Sequence, residues 1–265
     1  MRMSRGTSVP RCFDVPRDIY GDDVGVRLID LSMEVYQGMM TYPNVAKPVI
    51  VEMESYREMA RSVGTDQYGV DEITNHCMIV TGDHIGTHID SWGHVKPDAP
   101  RAEGIPIEFC YGDGVVLDLT HKQAGDEITP GDIEAAEAKL GGYRIKSRDI
   151  VLLRTDAAKK RTEKSYLTDH PGMTKEAVHY VLDRGVKVMG IDAIGFDPPV
   201  AKMFERKKFW EAHRVMRERE YYHLENLCNL HEIPPPHHSF TVSVLPVKWR
   251  GASAAPVRAV AILST

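Results

Sequence analysis

Only four cysteines occur in the 265 residues, Cys12, Cys77, Cys110 and Cys228, and no two of them form a C-x-x-C pair. Their scatter argues against a zinc ribbon and fits a reducing compartment better than a disulfide framework. No run of about 18 apolar residues is present, so no ordinary membrane-spanning helix is expected. The opening residues Met1-Arg2-Met3-Ser4-Arg5-Gly6 lead into no apolar segment of signal-peptide length, and the expected setting is the cytoplasm. Positive charge is not in excess either. Lys and Arg total 33 against 38 Asp and Glu, a formal net charge of −5, which gives no electrostatic case for a nucleic-acid partner. The basic runs at 159–161 and 206–208 are short and read as solvated faces. There is no internal repeat, low-complexity tract or clear linker.

The rest of the composition is that of a globular chain: 42% hydrophobic and 27% charged, and long enough to bury a substantial core. Residues 1–25 are polar, with Pro10 and Pro16, and read as an arm ordered by packing on something else. Residues 26–265 read as one mixed α/β domain. Strands are expected at 26–31, 48–53, 115–119, 149–154, 186–192, 240–245 and 257–263. A further strand-like stretch, 75–80, is expected to lead into the histidine cluster described next and to hold its first residue. One helix is expected after Thr129 as N-cap, with Pro130 at its first position and Gly141-Gly142 closing it. A second opens at Thr174, shows Ala177, Val178, Val181 and Leu182 on one face, and stops at Gly185. The alternation of strand and helix across 115–192 predicts parallel strands, with strand-rich segments on either side.

The densest chemistry lies in His84-Ile85-Gly86-Thr87-His88-Ile89-Asp90-Ser91-Trp92-Gly93-His94. Two imidazoles four apart and a carboxylate two further on make a divalent-metal set, suited to zinc or a neighbouring first-row metal such as manganese. Gly86 allows a sharp turn. His94 stays close without needing to bind. A metal site of this kind calls for further donors, and spacing alone leaves two histidines open. His213 lies in a helical-looking stretch. His223 sits two residues before Glu225, so that on a strand both would point the same way. Tyr20, Tyr36, Met39, Met40, Tyr42 and Trp92 are available to line a pocket for an aromatic compound; Tyr42 and Trp92 are the chosen wall residues.

The run His84-x-Gly86-Thr87-His88-x-Asp90-x3-His94 resembles the signature of the metal-dependent cyclase family, which includes bacterial kynurenine formamidases and isatin hydrolases. The resemblance extends through Ile29-Asp30-Leu31-Ser32, the strand at 149–155, Gly190-Ile191-Asp192, Glu225-Asn226-Leu227 and the last strand from Pro256. It implies the swivelling β/α fold of those hydrolases. It also implies that His84, His88 and Asp90 hold one ion and that Asp90 bridges to a second ion on His213 and Glu225, with His94 as the catalytic histidine. His213 is preferred over His223 because the family carries a histidine twelve residues before the Glu. Glu225, where isatin hydrolases carry Gln, favours the two-ion arrangement.

The activity implied is metal-dependent hydrolysis of a C–N amide bond in a small molecule, first an N-formyl or N-acyl arylamine. Opening of a cyclic amide, imide or lactone is the alternative, and a metal-binding protein without catalysis the third reading. Zinc is the expected cofactor, as one or two ions, with manganese possible. A homodimer or homotetramer is expected, and no membrane partner. Trp92 departs from the family's formamidases, which have Pro there, and this leaves the substrate open between the first two readings.

Overall fold

The computed structural model describes residues 25–264, so the arm expected at 1–25 lies almost wholly outside the described residues, as does Tyr20. In chain order the strands are β1 (Val26–Asp30), β2 (Val49–Glu54), β3 (His76–Val80), β4 (His88–Asp90), β5 (Tyr111–Asp118), β6 (Glu127–Ile128) and β7 (Ile150–Arg154). They continue as β8 (Gly172–Met173), β9 (Val188–Ile191), β10 (Tyr222–Glu225), β11 (Phe240–Ser243), β12 (Ala254–Pro256) and β13 (Val260–Ser264). The α-helices are α1 (Tyr56–Val63), α2 (Pro130–Glu137), α3 (Lys175–Leu182), α4 (Val200–Arg206) and α5 (Glu211–Arg214).

Nine strands form one mixed sheet in the order β1-β13-β11-β5-β7-β9-β10-β4-β12. Its centre, β5, β7, β9 and β10, is parallel, as the alternation of strand and helix predicts. Antiparallel strands complete both sides. The helices begin where their caps say they should. Thr129 and Asp132 form a reciprocal capping box at α2, Thr174 caps α3 through Ala177 N, and Gly185 (φ +84°) ends that helix's last turn.

The central strands are apolar on both faces, as parallel strands covered on both sides must be. Val115, Leu117, Val151, Leu153, Met189 and Ile191 pack into one core with residues of α2 and α3. Their neighbours Val116, Ile150, Leu152, Val188, Tyr222 and Leu224 pack into a second core on the opposite face. Alternation therefore sorts each strand between two cores, and where a polar residue interrupts it, that residue faces a defined layer.

One expectation is corrected. The stretch at 75–80 does not lead the main sheet into the histidine cluster. Among the described residues β3 pairs only with β2, as a separate antiparallel ribbon whose residues are almost all exposed. Nothing among the described residues covers either face, so the ribbon cannot hold a buried ligand in place. That work falls to β4, a three-residue strand inside the main sheet between β10 and β12. The last strand also starts later than 257. Val257 N bonds Thr87 O, Leu31 N bonds Ala259 O, and Ala259 N bonds Ser32 Oγ, so 257–259 cross-links loops before the strand resumes.

Candidate metal centre

β4 and β10 run antiparallel with His223 opposite Asp90 and Glu225 opposite His88. Ile89 and Leu224 point into the second core, so His88, Asp90, His223 and Glu225 all point to the helix-covered face. Two cross-strand pairs on one face, with Leu224 and Ile89 between them, thus bring four donor side chains together from two tripeptides, because directly opposed residues lie only about 5 Å apart. His84 arrives from the turn before β4. Gly86 in that turn has φ +55°, and a Cβ there would sit 2.7 Å from Val35 Cγ2, so a larger residue would strain the backbone and push on Val35. His213 comes from α5. Asp197 accepts hydrogen bonds from Ala212 N and His213 N, and Tyr221 donates to Ala212 O at 2.6 Å, which ties that short helix to the start of β10.

The donors divide into two sets, one around each edge of the carboxylate pair. His84 Nδ1 and His88 Nε2 lie 2.9 and 3.3 Å from Asp90 Oδ1, and His88 Nε2 lies 3.6 Å from Glu225 Oε2. His223 Nε2 and His213 Nε2 lie 3.2 and 3.6 Å from Asp90 Oδ2, and 3.7 and 3.6 Å from Glu225 Oε1. Ligands held tetrahedrally at zinc's usual bond lengths are separated by about 3.3 Å. Both sets have that spacing.

The outer hydrogen bonds fix which nitrogen faces inward. His88 Nδ1 is 3.0 Å from Gly86 O and donates to it, which leaves Nε2 with its lone pair toward the carboxylates. Ser253 donates to Asp83 Oδ2, so its hydroxyl accepts from His84 Nε2 and frees Nδ1. His213 Nδ1 is 2.5 Å from Asp197 Oδ2 and donates to that carboxylate, again leaving Nε2 inward. Histidine held through its other nitrogen by a carboxylate or carbonyl is the usual arrangement around a metal.

The electrostatics favour a cation. Asp90 is 1% exposed, and neither of its oxygens has a hydrogen bond of good geometry among the described residues. Burial would raise its pKa, but the surrounding imidazoles of His84, His94, His213 and His223 hold it well below the usual carboxylate range. Burial also opposes charge on His84, yet Asp90, then Asp83 and Glu225, push its pKa up to about 9. In the metal-free protein a proton on His84 does part of what a bound cation would do. Burial is the largest effect on Glu225 and, with the nearby Asp90, raises its pKa. The donor types, their spacing, their tautomers and the two unsatisfied buried oxygens together fit a divalent ion.

Above the centre lies a cavity of about 410 Å³. His84, His88, Asp90, His94, His213 and Glu225 form its floor, and its walls include Met40, Tyr42, Leu167, Ile194, Phe196 and Trp210. His94 Nε2 lies 3.5 Å from Asp90 Oδ2, and its side chain is 31% exposed, the most open imidazole of the cluster. Burial, joined by His84, His213 and His88, drives its pKa down to about 4, so it is neutral at pH 7. The Tyr42 hydroxyl is buried without a hydrogen-bond partner among the described residues, and burial beside Glu225 pushes it up to about 12. Trp92 does not line this cavity. Its indole N–H donates to Met216 O at 2.6 Å, and Lys96 Nζ sits 4.5 Å over its ring, so it packs as support beneath the 92–94 turn.

The structure brings together His84, His88, Asp90, His94, His213 and Glu225 as the sequence reading groups them. It adds His223, which the preference for His213 set aside. Both reach the centre, and the i, i+2 spacing of His223 and Glu225 on β10 was the available signal. Ser253 carried no local signal, because it acts on a histidine distant in sequence; Asp83 adjoins His84 but acts through Ser253, and the signal for Asp197 was only its place after a parallel-type strand. Asp192 lies elsewhere: it accepts from Thr155 N, Thr155 Oγ1 and Asp156 N, closing the turn after β7.

Residues 29–198 match the family model described as putative cyclase. The chain is 25% identical over 199 residues to an isatin hydrolase of Roseibium aggregatum, covering 70% of this chain and 73% of that protein. It is 27% identical over 177 residues to a kynurenine formamidase of Sphingopyxis alaskensis, covering 67% of this chain and 75% of that one. Among solved structures, isatin hydrolase A from Labrenzia aggregata bound to benzyl benzoate superposes with a TM-score of 0.77 at 24% identity. That match covers 91% of this chain and 95% of the other, a likeness of fold.

Proposed function

Since this chain belongs to the putative cyclase family, we propose that it is a metal-dependent hydrolase of the C–N bond in a small N-formyl or N-acyl arylamine. The observation that carries this reading is the convergence of two imidazole pairs on the shared carboxylates Asp90 and Glu225, at the floor of an apolar cavity. His84, His88, Asp90, His213 and Glu225 would hold zinc or manganese. The bound ion supplies an acidified water, its pKa drawn from about 15.7 toward 7, and positive charge for the carbonyl oxygen.

The chain's own residues supply the rest. His94 is neutral, lies at the cavity floor and has Asp90 behind it, so it takes a proton from the attacking water and returns it to the leaving nitrogen. An arylamine is a poor leaving group until it is protonated. Met40, Leu167, Ile194 and Phe196 exclude bulk water and offer an apolar surface to an aromatic ring, while the buried Tyr42 hydroxyl offers one donor to a polar substituent. Ring opening of a cyclic amide, imide or lactone is the second reading, supported by the isatin hydrolase among the relatives.

The test is elemental analysis of the purified protein combined with a screen of N-formyl arylamines, cyclic imides and lactones. Turnover of the formanilide class, lost on chelation and restored by zinc or manganese, is expected. Turnover restricted to ring substrates would replace the first reading by the second. A metal-loaded protein that hydrolyses none of them would leave a non-catalytic metal protein.

A further inference from the structure

We propose that His223 is itself a metal ligand, the fourth imidazole of the centre, so that each of two ions would rest on two histidines and share both carboxylates. The inference rests on reading the centre as a metal site, but not on the choice of substrate.

Register comes first. His223 is directly opposite Asp90 in the β4–β10 pair and on the same face as His88, Asp90 and Glu225. Its Nε2 lies 3.2 Å from Asp90 Oδ2, closer than the 3.6 Å of His213 Nε2, and both face Glu225 Oε1. Asp90 Oδ1 faces His84 and His88, and Glu225 Oε2 faces His88, while Asp90 Oδ2 and Glu225 Oε1 both face His213 and His223; Oδ2 also has His94 Nε2 at 3.5 Å, and Oε1 accepts from Phe196 N. Asp90, His213 and His223 alone already place one donor atom each within 4.8 Å of one another.

Burial argues against an ordinary structural role. His223 is 0% exposed, and neither of its ring nitrogens makes a hydrogen bond of good geometry among the described residues, the nearest approach being Nε2 to Asp90 Oδ2 at 3.2 Å. A satisfied core histidine uses at least one nitrogen, since each buried polar atom left unpaired costs about 1–3 kcal/mol. The ring stacks on Phe196, with centroids 4.4 Å apart and planes 8° apart, which fixes its plane and aims Nε2 at the carboxylates. Buried beneath Phe196, His223 does not line the cavity, whereas His213 does.

His223 differs from its three companions in one respect. Nothing among the described residues accepts its Nδ1–H, whereas Ser253, Gly86 and Asp197 hold the outer nitrogens of His84, His88 and His213. An outer acceptor raises the basicity of a ligating imidazole. His223 is therefore the weakest of the four donors, and the second ion is the more easily removed.

The experiment uses wild-type protein and His223→Gln, both stripped with chelator and titrated with Co²⁺. Stoichiometry is followed by elemental analysis and the visible absorption bands. Hyperfine-shifted, exchangeable imidazole N–H resonances are then counted by proton NMR. Wild type is expected to take two ions and to show four such resonances, one per ligating histidine. His223→Gln should show three, keep the first ion's band unchanged, and hold the second ion more weakly by more than the roughly 10–100-fold cost of losing an outer hydrogen bond. Three resonances in fully loaded wild type, a wild type saturating at one ion, or a variant holding both ions with unchanged affinity would overturn the proposal. Should His223→Gln fail to fold, the wild-type spectrum decides alone. No turnover enters the measurement. A protein with four ligating histidines that hydrolyses nothing keeps this inference and loses the proposed function; an active hydrolase with three does the reverse.

Discussion

His84 and His88 reach Asp90 from one turn and the start of one strand, whereas His213 and His223 reach the same carboxylate from α5 and β10, far along the chain. The first side is set by backbone: the positive φ of Gly86, the bond from His88 Nδ1 to Gly86 O, and the short strand β4. The second side is set by tertiary contacts, with Asp197 orienting His213 and Phe196 orienting His223. A centre built this way has one half whose ligands all come from β4 and its turn, with Ser253 as an outer support, and one that depends on the packing of α5 against β10. The halves share only Asp90 and Glu225. Breaking the shared part should therefore remove both ions, and breaking either private part should remove one.

The largest effect is expected from Asp90→Asn. The amide keeps the shape and loses the charge that both imidazole pairs face, so both ions should be lost on dialysis and activity should fall to background. Metal content of the purified variant checks this. Retention of either ion would mean that the two sides do not depend on Asp90 as a common anion. Next is His94→Ala, which touches neither side. It should keep its full complement of metal while turnover drops about 10²–10⁴-fold, the usual contribution of a positioned acid–base residue. Unchanged turnover in a metal-replete assay would sink the role given to His94.

The contrast between the halves also explains what the sequence made legible. His84, His88, Asp90 and His94 are close in sequence, so their chemistry showed as spacing. The strand–helix–strand pattern of 115–192 was equally plain, because buried parallel strands are short apolar runs and α2 and α3 carry ordinary caps. The second side was legible only in part. His223 and Glu225 carried the right two-residue spacing, yet spacing could not say that His223 lies across from Asp90; strand pairing decides that. Ser253 was invisible, since it acts on a histidine that the fold brings to it, and Asp197 showed only its place after a parallel-type strand, not its histidine partner. The stretch at 75–80 misled for the converse reason. It has strand-forming residues next to the cluster, but it pairs with β2 in an exposed ribbon.

A smaller effect separates the halves by their outer bonds. Asp197→Asn replaces the charged acceptor of His213 and should weaken the second ion about 10–100-fold while leaving the first unchanged. Ser253→Ala removes a neutral hydroxyl from His84 and should weaken only the first ion, by less, because hydrogen bonds to charged groups are roughly twice as strong. Stepwise competition with a chromophoric chelator reads both constants. Equal loss at both ions in either variant would mean that the halves are coupled through more than the shared carboxylates.

The smallest effect, about tenfold per pH unit, concerns protons. In the metal-free protein burial works against a charged His84, but Asp90, Asp83 and Glu225 raise its pKa from 6.5 to about 9. For a base so raised, the stabilisation from the protonated form is fully present below 6.5 and is lost as pH rises through about 9. A metal ion needs the same nitrogen bare, so its binding must displace that proton, and its apparent affinity should climb about tenfold per unit between pH 7 and 9 before levelling off. On the second side burial again opposes charge, while Asp197 and then Asp90 hold His213 protonated well above the ordinary imidazole range, so one proton is displaced there too. His223 adds none: burial and the neighbouring His213 drive it down to about 4, and it already stands as a neutral donor. Each half thus offers at least one protonated imidazole at pH 7, and each ion should release about one proton on binding. Chelator competition across pH 6.5 to 10, with calorimetry in buffers of different ionisation enthalpy, measures this. A first-ion affinity independent of pH below 9 would mean that His84 is already deprotonated in the metal-free protein, and that Asp90 does not hold the charge that makes the two sides one centre.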